Sequence, residues 1–104
     1  MKDDLLKIIS FYGVIPQLKY FQSEIFELNQ SIIDYQYVEV YKNSPAEKAG
    51  KEHIAEEIAD CTVMLKQFQY YYGIEDKEIE EVMKYKIDRQ LERIENEKSN
   101  NISS

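Results

Sequence analysis

Tryptophan is absent from this chain, cysteine and histidine occur once each, and only two prolines and three glycines interrupt 104 residues. With Cys61 as the sole cysteine, no intramolecular disulfide can form and no paired-cysteine metal site exists. No long apolar segment follows the start Met1-Lys2-Asp3-Asp4. A chain without signal peptide or membrane span, in a reducing cytoplasm, is therefore expected. Basic residues are also few. Thirteen Lys and Arg against twenty Asp and Glu leave a net charge of -7, which argues against a nonspecific nucleic-acid backbone binder. A small anionic substrate remains compatible with that charge if metal ions offset it locally.

What is present in quantity is apolar and aromatic. Hydrophobic residues make up 43% of the chain, with nine tyrosines and four phenylalanines, too many for a disordered polymer. The length fits one domain with a modest core, and the apolar excess predicts burial partly between subunits.

Two acid pairs stand out against this background. Ile54, Ile58, Cys61, Leu65 and Phe68 recur at helical spacing, and Glu57 and Asp60 border that stripe. At about 100° per residue, Glu57 lies only about 40° from Cys61. Earlier in the chain, Leu18, Phe21, Ile25, Leu28 and Ile32 form a second stripe, flanked by Glu24 and Glu27. An antiparallel hairpin turning near Lys42 sets Glu24 opposite Asp60 and Glu27 opposite Glu57. Four carboxylates at one level of a bundle require protons or a cation. An all-oxygen donor set favours a hard ion, Mg²⁺ or Mn²⁺. Solvated helix acids are the plain alternative, which two pairs in register at the core border disfavour.

The chain divides into four predicted helices. Asp3 or Asp4 caps a short first helix that Gly13 ends, and Pro16 falls in the first turn of the second. Tyr35 to Tyr41 alternates like a strand, but a lone strand has no partner for its backbone groups, so the second helix is extended through it. Ser44-Pro45-Ala46-Glu47 reads as a capping box opening a third helix, which runs to about Tyr72 and stops at Gly73. Asp76 caps a fourth, Lys77 to about Glu97, within a single domain 1–97, and residues 98–104 read as a polar disordered tail. In the fourth helix Lys86 interrupts the stripe of Ile79, Val82, Met83 and Ile94, with Arg89 and Arg93 on its shoulder. Lys86 either snorkels along apolar surface or, with Arg89, faces the acids, where cations suit phosphate.

His53 lies one turn before Glu57 and reads as a packed or hydrogen-bonded residue in preference to a ligand, with a place on the pocket wall open to it. Cys61 reads as core in acidic surroundings that do not activate a thiol. Tyr70, Tyr71 and Tyr72 point in three directions and cannot form one stacking platform.

Gln17, Ser23-Glu24-Ile25-Phe26-Glu27-Leu28, Glu56-Glu57-Ile58-Ala59-Asp60 and Lys86-x-x-Arg89 together resemble the MazG-like, all-alpha nucleoside triphosphate pyrophosphatases. The resemblance covers roughly residues 5 to 95. It implies an all-α, four-helix bundle with a short first helix, two long antiparallel helices carrying the acids and a fourth helix, assembled into dimers or tetramers. It further implies Mg²⁺-dependent hydrolysis of a nucleoside triphosphate, a deoxynucleotide or non-standard nucleotide, to the monophosphate and pyrophosphate. By position, Glu24, Glu27, Glu57 and Asp60 look like the metal ligands, Lys86 and Arg89 like phosphate-contacting catalytic cations, and Gln17 like a pocket residue. Base selection would fall to side chains around Gln17, Tyr20 and Phe21. Ser23 departs from the pattern, since many members carry a further glutamate there, so Glu56 or Glu27 becomes the general base.

Three other readings compete. A di-iron carboxylate bundle calls for Glu-x-x-His on two helices, which a single histidine cannot supply. A non-catalytic helical interaction or regulatory module would leave the acids on the surface and use the stripes for dimerisation. A protein that keeps the metal site but binds nucleotides without hydrolysing them well would explain Ser23.

Overall fold

A computed structural model describes residues 1–103 and contains four α-helices and no strand among them. The helices are α1 (Lys2–Tyr12), α2 (Val14–Tyr35), α3 (Pro45–Tyr71) and α4 (Asp76–Ser103). The all-α, four-helix class expected from periodicity is thus the observed one. The chain divides into two compact units, Met1–Tyr72 with α1 to α3 and Gly73–Ser104 with α4.

Local chemistry sets the boundaries within the first unit. Gly13 adopts φ +92°, a region open to glycine at little steric cost, and breaks the chain between α1 and α2. Its N–H closes α1 on Ile9 O at 2.8 Å, while its carbonyl accepts the Gln17 N–H at 3.2 Å. α1 buries Leu5 and Ile9, the latter completely, and packs on both α2 and α3.

α2 stops at Tyr35, earlier than the extended helix expected from the sequence. Beyond it, Gln36, Tyr37, Val38, Tyr41 and Ser44 each donate to the carbonyl three residues back, so tight turns replace the α-helical ladder. Asn43 takes a left-handed conformation, φ 64°, which asparagine tolerates better than most residues.

Ser44 then caps α3, accepting the Glu47 N–H on its Oγ at 3.1 Å. The return half of the capping box differs from expectation: Glu47 Oε1 accepts from the Asn43 N–H at 3.2 Å. Glu47 Oε2 meanwhile accepts from Tyr35 Oη at 3.2 Å, tying the end of α2 to the start of α3. Gly50 serves the same junction. A β-carbon there would lie 3.0 Å from the Tyr35 ring and 3.4 Å from Val38.

The seam between α2 and α3 does not follow the apolar stripes read from the sequence. On α2 it is lined by buried Gln17, Glu24 and Ser31, spaced by seven, with Phe21 and Leu28 half-buried beside them. Leu18, Ile25 and Ile32, expected in the buried stripe, are 43%, 41% and 42% exposed. They sit one residue further along each repeat, about 100° round the helix. On α3 the buried set is Glu47, Glu57, Cys61, Met64, Gln67 and Tyr70, whereas Ile58 and Leu65 face outward. Ser31 is satisfied locally, donating to Glu27 O at 2.6 Å.

α4 is amphipathic only weakly, and its residues from Glu80 to Asn101 are exposed. It continues to Ser103, past the expected end near Glu97, because neither glycine nor proline follows Gly73 to stop it. Residues 98–103 are therefore helical, in place of the expected disordered tail. That expectation for Ser104 lies outside the described residues.

A buried carboxylate cluster beside a cleft

The hairpin of α2 and α3 brings Glu24, Glu57 and Asp60 together, each offering an oxygen within 4.8 Å of the others. Glu24 and Glu57 are 5% and 6% exposed, while Asp60 lies at the edge and is exposed. Glu24 Oε2 and Glu57 Oε2 are fully buried without a hydrogen-bond partner, the only such side-chain atoms among the described residues. Buried polar atoms are nearly always paired, so two orphaned carboxylate oxygens in one cluster need a cation or a proton.

Electrostatics points the same way. Burial raises the Glu24 pKa above the ordinary carboxylate range, opposed by a hydrogen bond from Tyr20 and reinforced by Glu27 and Asp60. Glu57 is likewise raised, first by burial, then by the charges of Glu27, Glu24 and Asp60, with His53 pulling slightly downward. The Tyr20 hydroxyl is raised by its hydrogen bond to Glu24 and by the surrounding acids. Cys61, buried next to the cluster, is raised by burial and then by the same carboxylates, and stays a protonated core residue as its setting predicted.

The donor set fits a hard divalent cation. It consists of carboxylate oxygens on two rigid helices, with no sulfur or imidazole in the trio. Glu27, expected as a fourth equivalent ligand, is exposed on the flank and outside the trio, near enough for its charge to act on Glu24 and Glu57.

Two clefts flank the acids. The larger, ≈560 Å³, opens among α1, α2 and α3, and its walls include Tyr12, Gln17, Tyr20, Asp60, Met64 and Gln67. Gln17 and Tyr20, expected to bind substrate, line one cavity with Asp60 of the cluster. The smaller, ≈370 Å³, is lined by Phe26, Glu27, Ser31, His53 and Glu57, among others, which puts His53 on a pocket wall. Glu56 is exposed beside Glu57 on α3. Lys86 and Arg89 are exposed on α4 in the second unit, with the Arg89 guanidinium 5.8 Å above the Tyr85 ring.

Sequence reasoning missed Gln67, the most deeply buried polar side chain of the first unit at 2% exposure. Its signal was available: Gln67 follows Asp60 by seven residues and so falls on the same side of α3 as the acids. Of the tyrosine run, Tyr70 is buried, with Lys2 and Lys66 ammonium groups 5.4 and 5.5 Å from its ring, while Tyr71 and Tyr72 are exposed.

These features define a class: an all-α protein with a buried carboxylate cluster on a helical hairpin, opening into a cleft of ligand size. Among the described residues no helix is long and apolar enough to cross a membrane. No protein-family model matches the chain, and no curated protein or solved structure does either.

Proposed function

We propose that the cluster holds Mg²⁺, with Mn²⁺ as a substitute, and that the protein hydrolyses a nucleoside triphosphate to the monophosphate and pyrophosphate, as do the MazG-like pyrophosphatases it resembles. The observation that carries this reading is the pair of buried, unpartnered oxygens on Glu24 and Glu57, two residues clustered with Asp60. Glu24, Glu57 and Asp60 would hold the ion, and Glu27 adds negative charge on the flank. A bound divalent ion supplies neutralisation of phosphate charge and acidification of a water. The chain's own groups do the rest. Gln17 and Tyr20 orient the nucleoside in the larger cleft, and Glu56 or Glu27 accepts the proton of the attacking water; the resemblance alone assigns Lys86 and Arg89 to the charge of the leaving pyrophosphate. A deoxynucleotide or non-standard nucleotide is the proposed substrate, turned over in the cytoplasm by a homodimer or homotetramer. Ser23, where a further glutamate is expected, favours a second reading in which nucleotides are bound but poorly hydrolysed.

The test is pyrophosphate release from a panel of canonical and modified nucleoside triphosphates, with Mg²⁺ and with chelator in parallel. Release that depends on Mg²⁺ is the expected outcome, and its absence from folded protein defeats the hydrolase reading. Asp60→Asn is expected to remove both turnover and the Mg²⁺-induced rise in melting temperature. An undiminished rise in that variant would show that the ion binds elsewhere.

A further inference from the structure

The larger cleft contains an amide pair whose orientation is fixed by its neighbours. Gln17 Nε2 donates to Gln67 Oε1 at 2.9 Å, and Gln67 Nε2 donates to Met64 Sδ at 3.6 Å. A thioether sulfur accepts a hydrogen bond but has no hydrogen to give. Turning Gln67 over would set its oxygen against that sulfur, acceptor to acceptor, at a side chain almost sealed from water. Gln67 thus keeps its oxygen toward Gln17, and Gln17 must answer with its nitrogen. That same nitrogen also lies 4.0 Å from Met64 Sδ, so its second hydrogen has an acceptor as well. What remains for a ligand is the Gln17 carbonyl oxygen. Gln17 lines the cleft, and this oxygen is not among the buried atoms left without a partner.

We infer that Gln67 is a positioning residue that makes Gln17 a hydrogen-bond acceptor toward the cleft, and that the cleft selects nucleobases with an amino group at pyrimidine C4 or purine C6, cytosine and adenine, over those with an oxo group there, uracil and hypoxanthine. The inference rests on the nucleotide reading above. An amino group donates to the Gln17 oxygen, whereas an oxo group at the same ring position opposes lone pairs to lone pairs. Tyr12, Tyr20 and Met64 supply the apolar and aromatic surface on which a base can lie. The cavity, ≈560 Å³, falls in the range of small-ligand sites, and Asp60 on its wall joins it to the acids that would hold the ion.

Calorimetric titration of the full chain in Mg²⁺ with dCMP against dUMP, and dAMP against dIMP, reads the cleft without requiring turnover. The amino member of each pair is expected to bind roughly ten- to a hundredfold more tightly, the usual consequence of leaving a polar group of the site unpaired. In Gln67→Met, which keeps side-chain volume but frees Gln17 to rotate, the ratio is expected to fall to roughly threefold or less. Equal affinities, preference for the oxo member, or no binding of any of the four overturns the inference, and the wild-type pairs decide it even if a variant does not fold. Parallel assay of pyrophosphate release separates the two readings. Amino-selective binding without release defeats hydrolysis alone, and release without amino preference defeats the base selection alone.

Discussion

Glu24 and Glu57 occupy positions that favour a neutral acid over an anion, because burial and the charges of Glu27 and Asp60 outweigh the Tyr20 hydrogen bond to Glu24 and the His53 charge near Glu57. The sign of the pH dependence follows. A carboxyl whose pKa is higher in the folded than in the unfolded chain binds protons on folding. Its contribution is fully present below the unfolded pKa and is lost as pH rises through the folded one. Glu47 acts oppositely, since the Asn43 N–H lowers its pKa, so its contribution is lost on acidification. The difference between wild type and Glu57→Gln isolates the cluster. In chelator at pH 7, Glu57→Gln is expected to melt higher than wild type, with the gap narrowing as pH falls toward the carboxylate range. In Mg²⁺ the order should reverse. A variant that melts lower in chelator at pH 7 would mean that Glu57 is already compensated by the protein. At this scale the sequence was legible where spacing alone decides: the three-residue spacing and antiparallel register predicted the meeting of Glu24, Glu57 and Asp60. It did not distinguish Glu27 from them, because a shoulder position reads alike whether the seam turns toward it or away. Gln67 carried a signal only through its seven-residue spacing from Asp60, because an amide has no chemistry that singles it out from other helix residues.

Helix ends were legible where a residue with restricted backbone chemistry sits at the boundary. Gly13, Pro45 and Gly73 mark the ends of α1, the start of α3 and the stop after it. The end of α2 carried no such mark, and Tyr35 closes it through a tertiary contact, its hydroxyl on Glu47, which no local pattern announces. The junction gives Ser44 two dependants, the Glu47 N–H that it caps and the geometry that brings the Glu47 carboxylate to Asn43 and Tyr35. Ser44→Ala is expected to cost about 1 kcal/mol, as N-cap deletions do. In a chain of this size that lowers the melting temperature by roughly 4–8 °C. Because the hairpin sets the register of the acids, the same variant should also weaken the Mg²⁺-induced stabilisation. Calorimetry with and without the ion measures both, and an unchanged melting temperature would show that Glu47 holds the turn without its cap.

Across the molecule, the mismatch between apolar stripes and the observed seam has a consequence for assembly. The seam of the first unit uses Gln17, Glu24, Ser31, Glu57 and Gln67, polar residues that serve the cluster and the cleft, and this leaves apolar side chains on the outside. Ile15, Phe26 and Ile33 share the face of α2 opposite the seam and are 61%, 69% and 51% exposed. A fixed hydrophobic pattern can be satisfied within one chain or between copies, and the pattern alone does not say which, so sequence predicted burial but not its partner. Exposed apolar side chains on one helix face are relieved of water by association. Light scattering at micromolar concentration is expected to return a mass above the 12.4 kDa of a single chain. Phe26→Glu, which places a charge at the centre of that face and on the wall of the smaller cleft, should shift the protein toward monomer while leaving each chain's helical content unchanged. Wild type that already runs at 12.4 kDa would show that these side chains are tolerated in water. A Phe26→Glu variant with wild-type mass would move the association to another surface.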